Sequence, residues 1–157
     1  MSLWIVRAER TIGDEIPAPP EEVRDFYVDL DNIKDLHPLV VSVHLLEHHQ
    51  TANGYQKTYR VRDRIPLGPL TMPITYWARV EVPQHGDVIT EARQFPRVRL
   101  NGTVTFQPIE SGTRLTERLN IAAPRLLAAT TEREAVNAHI AMLAGIRGHF
   151  EAGRPPG

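Results

Sequence analysis

Between residues 39 and 122 hydrophobicity alternates with a period of two, and a single long helical pattern follows. This order constrains the fold more than any other feature of the chain. The period-two segments cover residues 39–49, 54–65, 70–82, 87–95, 98–108 and 113–122. Each break between them carries turn chemistry: Asn53-Gly54, Pro66 to Pro69, Gln84-His85-Gly86, Pro96, and Ser111-Gly112. Six consecutive strands with short connections predict an antiparallel meander, because parallel neighbours need long crossovers. Val136, Ile140, Leu143, Ile146 and Phe150 then recur at helical spacing within 130–152, a helix roughly 30–35 Å long. Pro124 and the Thr130-Thr131 stretch mark its start, with Thr131 to Glu134 at capping-box spacing.

The first forty residues add one strand and two short helices. Trp4, Val6, Ala8 and Ile12 alternate with polar residues over 3–16, until Pro17-Ala18-Pro19-Pro20 stops the ladder. Glu21 and Glu22 suit the positive end of a short helix whose apolar face is Val23, Phe26 and Tyr27. A second runs from Asp31, the expected N-cap, through Leu36, and Pro38 limits it. A seven-stranded sheet thus has one face to cover and one long helix to cover it. The sheet must curl around that helix, which predicts an α+β fold with an apolar cavity between the two.

Composition narrows the function classes. The 157 residues suit a single domain over 1–152 with a disordered tail at 153–157. A formal net charge of −1 gives no whole-protein attraction for nucleic acid or an anionic membrane. With two Trp, four Tyr and four Phe, base-stacking platforms are not evident. Cysteine is absent, which excludes disulfides and thiolate chemistry and fits a reducing compartment. Arg7 interrupts the N-terminal apolar residues before they reach signal-peptide length, and no window matches a membrane span. The expected location is the cytoplasm.

The order of elements, together with one local stretch, resembles the helix-grip (SRPBCC, START-like) superfamily of START domains, plant pathogenesis-related allergens and bacterial polyketide cyclases. The stretch is Ile16-Pro17-Ala18-Pro19-Pro20-Glu21-Glu22-Val23-Arg24-Asp25-Phe26-Tyr27, then Asp29-Leu30-Asp31-Asn32, then Leu36-His37-Pro38. Leu36 stands where an aromatic residue is more usual. Gly112-Thr113-Arg114-Leu115-Thr116 resembles the usual start of the penultimate element. The resemblance implies a helix-grip fold and a small, mostly apolar ligand such as a lipid or polyketide-like compound. Some cyclases of this superfamily hold a polyketone oxygen with an inward arginine on a comparable strand. Parity sends Arg60 outward, so that role is not carried over.

Strand parity sorts the polar residues. Glu117 shares a face with Leu115, Leu119 and Ile121. It reads as a cavity acid or ligand anchor, or as one half of an ion pair with a nearby Arg or Lys at the sheet edge. On 54–65, Asp63 and Lys57 fall on the apolar side with Tyr55, Tyr59, Val61 and Ile65, which predicts a bulge or a wet cavity mouth. Tyr59 and Tyr76 offer an apolar ring and a hydroxyl to a ligand, or simply fill the core. His139, on the apolar face of the long helix, either orients a ligand or bonds a backbone carbonyl. His37 reads as a helix-end residue. The expected ligand wall comprises Tyr59, Val61, Tyr76, Val80, Leu100, Val104, Glu117, Leu119, His139 and Leu143, with Glu117 and His139 the candidate catalytic groups.

Seven histidines raise the question of a metal. His44 and His48 share a strand face about 13 Å apart, His48 and His49 point oppositely, and no His-x₃-His helical pair occurs. No metal or other cofactor is expected. No Gly-x-Ser-x-Gly elbow or phosphate-cradling glycine loop is present. The run from Ile65 to Pro73 is apolar for a loop and reads as a flap, a partner-docking patch, or a hairpin folded on the sheet. Three functions follow: a carrier of a hydrophobic small molecule, a polyketide cyclase or dehydrase-type enzyme, or a module docking a respiratory or ribosomal protein through that flap.

Overall fold

The computed structural model describes residues 4–153. Of the expected tail at 153–157, Gly153 caps the last helix and residues 154–157 lie outside the described residues, as does Leu3, the first residue of the expected strand. The chain runs β1 (Ile5–Ile16), α1 (Pro20–Tyr27), α2 (Leu30–Ile33), then β2 (Val40–Thr51), β3 (Gly54–Leu67) and β4 (Leu70–Pro83). It continues through β5 (Val88–Gln94), β6 (Val98–Ile109), β7 (Gly112–Pro124) and α3 (Arg125–Ala152). All seven strands form one antiparallel sheet in the order β1-β7-β6-β5-β4-β3-β2. The meander therefore returns its last strand to pair with the first, from Ile5 opposite Pro124 to Ile16 opposite Thr113. This is the curved helix-grip architecture expected from the strand pattern.

Parity holds where a face is buried. Tyr59, Val61 and Asp63 of β3 and Leu115, Glu117, Leu119 and Ile121 of β7 all point inward and are shielded from solvent. The register of β3 with β4 is continuous, and the irregularity expected near Asp63 lies in the strand opposite it, where Val40 of β2 pairs with Asp63 and Ser42 with Arg62. Register shifts occur in β2 between Val40 and Ser42 and between Leu45 and Glu47. An edge strand tolerates such breaks, because its second side has no ladder to keep.

Helix α3 starts at Arg125, five residues before the expected position, with Pro124 at its N-cap. The periodicity reading missed this turn because Leu126 is almost fully exposed and packs on nothing. The expected capping box does not form, since Thr131 and Glu134 lie within the helix rather than at its start. Ile140, expected in the core, is half exposed. The buried residues of α3 are Ala138, Met142, Leu143 and Ile146. Small side chains let the helix approach closely: a Cβ at Gly145 would already touch Leu36 at 3.1 Å. The helix packs mainly on β1 and β7. Arg147 fixes it there through bonds of 2.7 and 2.6 Å to the Asp14 carboxylate of β1.

The short helices close one end. Asp29, not Asp31, caps α2, accepting the Asp31 N–H at 3.0 Å. Only four residues are regular α-helix, and turns at Leu36 and His37, both bonded to the Ile33 carbonyl, extend it. The run from Ile65 to Pro73 is no loop. Its backbone pairs from Ile65–Met72 to Leu67–Leu70, so it forms the tip of the β3–β4 hairpin.

At the β6–β7 turn, Gly112 adopts φ +142° and lies against the end of β1, where a Cβ would sit 2.2 Å from the Ile16 oxygen. No L side chain fits that space or that backbone. Gly112→Ala is expected to lower unfolding free energy by about 2–4 kcal/mol in urea titrations, whereas Gly148→Ala, with open space around its Cβ position, does not destabilise.

Candidate functional site: a cavity with a buried acid–histidine cluster

Helix α3 covers the β1–β7 side of the sheet, so a gap remains where β3 to β6 curve away from it. A cavity of about 580 Å³ occupies that gap. Its wall is built by Asp63 and Ile65 of β3, Met72 to Tyr76 of β4, Ala92 and Gln94 of β5, and Val98 and Leu100 of β6. Leu127, Thr130, Thr131, Glu134, Ala135 and His139 of α3 face them, and His37 and Leu39 complete the inner end. A smaller space of about 110 Å³ continues inward, sharing His37, Tyr76, Ala92, Leu100 and His139 with the first. Phe95, Met72 and Leu127 line the cavity while remaining substantially exposed. These side chains give its mouth an apolar rim.

Of the expected ligand wall, Tyr76, Leu100 and His139 line the main cavity, and Val61 and Val80 line the inner space. Tyr59, Val104, Glu117, Leu119 and Leu143 line neither and are fully enclosed by protein. Parity identified their inward face, but not where the helix rests on it. Residues on and beside β7 become core under the helix, Tyr59 of β3 is enclosed beside Leu30 of α2, and residues beyond the helix become cavity wall. Arg60 is on the outer surface, as its parity requires.

Glu117 sits behind His139. On the sheet it is opposite Ile12 of β1 and Val104 of β6, leaving its carboxylate in an apolar layer. Two donors satisfy it: the Tyr27 hydroxyl bonds Oε2, and His139 Nδ1 lies 2.9 Å from Oε1. The partner is therefore neither an Arg nor a Lys, and His139 bonds this carboxylate rather than a backbone carbonyl. Burial opposes a charge on His139, but the carboxylate beside it and the more distant Asp63 outweigh this, raising its pKa above 6.5. Burial, reinforced by Glu117, holds the Tyr27 hydroxyl well above its usual range. With Nδ1 committed to Glu117, the other ring nitrogen of His139 is the one free for a further hydrogen bond.

His37 meets His139 edge to face, with ring centroids 5.4 Å apart. Its Nδ1 accepts the Leu39 N–H at 3.3 Å, which assigns it the helix-end role expected and also places it in the cavity wall. Burial, aided by the charge of His139, pushes its pKa down to about 3, so it stays neutral near pH 7. Asp63 is the residue the expected wall omits, although parity places it on the apolar face. It is 7% exposed, and its Oδ1 has no hydrogen-bond partner among the described residues. Burial raises its pKa to about 6, and the hydroxyl of Tyr76 and His139 only partly offset the effect. Burial and the neighbouring Asp63 in turn push Tyr76 well above its usual value. Among the described residues no group of His, Asp and Glu has metal-holding geometry.

Two outcomes follow from this electrostatics. Without the Glu117 charge, burial dominates at His139, so in Glu117→Gln its NMR-titrated pKa is expected to fall below 6.5. Asp63 holds a proton more tightly when folded than its ordinary 3.8 allows. Its contribution to stability is therefore complete below about pH 4 and is lost as pH rises through about 6. Asp63→Asn is expected to stabilise the protein by about 1–3 kcal/mol near pH 7 and by nothing near pH 4, read from urea denaturation at both pH values.

A family profile described as "Polyketide cyclase / dehydrase and lipid transport" matches residues 6–149. A search of curated protein sequences finds no significant match. Among solved structures, a protein of Thermus thermophilus is 22% identical with a TM-score of 0.69, over 96% of this chain and 99% of its own. The aromatase/cyclase ZhuI of Streptomyces sp. R1128 is 16% identical with a TM-score of 0.73, over 94% of each chain. A START superfamily protein of Mycobacterium smegmatis is 14% identical with a TM-score of 0.68, over 94% of this chain and 99% of its own. At these identities the likeness is one of fold. The match over nearly the whole length settles the family: the chain belongs to the polyketide cyclase/dehydrase and lipid-transport family.

Proposed function

We propose that this protein binds a hydrophobic small molecule in the cavity between α3 and strands β3 to β6. One observation carries the reading: a space of about 580 Å³, walled mostly by apolar side chains and open at a rim of Met72, Phe95 and Leu127. Small-molecule sites are typically about 300–1,000 Å³, apolar, with a few polar groups that orient the guest. Here those groups are Asp63, Tyr76, His37 and His139. The family description, which names both cyclases and lipid transport, supports an apolar guest. Among the described residues no helix is long and apolar enough to cross a membrane.

A second reading is an enzyme of the cyclase or dehydrase type. It is favoured by a histidine whose charge is raised by a buried carboxylate, facing an acid whose pKa of about 6 allows proton exchange near neutrality. His139 would move a proton at its free ring nitrogen, with Glu117 a positioning residue that sets its tautomer.

Native mass spectrometry of the protein from its own host is expected to show an apolar guest. Ala135→Trp, which fills the cavity from α3, is expected to fold and lose that guest. A guest-free protein that also fails to take up a neutral apolar fluorophore would overturn the binding reading. If the double variant Glu117→Gln/His139→Phe keeps the guest's affinity and loses its conversion, the protein is an enzyme. Unchanged conversion removes the second reading.

A further inference from the structure

The charge lining the main cavity has one sign. Asp63 stands in its wall and Glu134 faces it from α3, while among the described residues no lysine or arginine lines it. Neither histidine supplies a free cation. His37 is held neutral by burial and already uses Nδ1 to accept the Leu39 N–H. The charge that His139 carries is matched by Glu117, 2.9 Å away. Lys34 and Arg79 border only the smaller inner space. Among the described residues Asp63 therefore has no cationic partner of its own, and Oδ1 has no donor.

An enclosed carboxyl oxygen without a donor costs the empty protein free energy, and a small polar change would remove the cost. A donor brought by the guest removes it as well. Resting on the cavity-binding reading above, we propose that the guest is an apolar amine whose protonated nitrogen docks on Asp63 Oδ1, with its hydrocarbon body along β4, β6 and α3. A hydroxyl would satisfy the oxygen but leave the carboxylate's charge unmatched. An ammonium supplies both the hydrogen bond and the opposite charge. A carboxylate-headed guest, such as a fatty acid, meets a like charge in the cavity wall and is rejected.

Displacement of a neutral apolar fluorophore from the full-length protein near neutral pH tests this with three probes of equal chain length: decylamine, decanol and decanoate. Decylamine is expected to displace the fluorophore at about tenfold lower concentration than decanol, with decanoate weakest. Asp63→Asn is expected to reduce decylamine to the level of decanol, each probe being read against that variant's own fluorophore titration. Equal displacement by decylamine and decanol in the wild-type protein overturns the proposal, as does a preference that survives Asp63→Asn or a stronger effect of decanoate. In each case retained fluorophore uptake leaves the cavity reading standing. Failure of the fluorophore to bind overturns both.

Discussion

Seven strands spaced about 4.8 Å apart make a surface about 30 Å wide, and a helix with its side chains is about 10–12 Å across. One helix cannot cover such a sheet. Here α3 rests on β1 and β7, where Arg147 and Asp14 hold it. The uncovered part of the sheet curls, and the room between the two becomes the cavity. Burial at each position then depends on where it lies relative to the helix axis. Leu115 and Leu119, beneath the helix, are enclosed core. Tyr76 and Leu100, on strands farther along the sheet, form wall.

The strand pattern made the fold legible because period-two alternation survives wherever one face is buried. Glu117 and Asp63 show how far the same logic reached for the site. Parity placed both inward, which was correct. It could not distinguish Glu117, satisfied by Tyr27 and His139 from two other elements, from Asp63, which faces open space. Such partners come from 90 and 22 residues away in the chain. No local pattern encodes them. The helix was read less well for a related reason. Its contact face is Ala138, Met142, Leu143 and Ile146, of which the periodicity marked Leu143 and Ile146, while Ile140, apolar but off that face, drew the pattern toward solvent.

The two buried acids also differ energetically. Glu117 joins α1, β7 and α3 through charge-assisted bonds, and removing one partner would leave an enclosed charge uncompensated, a change of about 3–5 kcal/mol. It belongs to the scaffold and acts on the cavity only through His139. Asp63 makes no comparable return to the fold. An acid retained at a cost to the empty protein suits a group that meets its partner in a guest.

The first strand pairs along its whole length with the last, Ile5 against Pro124 through Ile16 against Thr113. A chain made from its N-terminus must therefore hold β1 without its neighbour until more than a hundred residues have followed. The cavity waits longer still, because His139 arrives only on the terminal helix. The pairing of β1 with β7 and the packing of α3 on both are distant in sequence, and such contacts slow assembly. The cavity is thus complete only once α3 has been made, and a chain stopped before His139 lacks part of its wall.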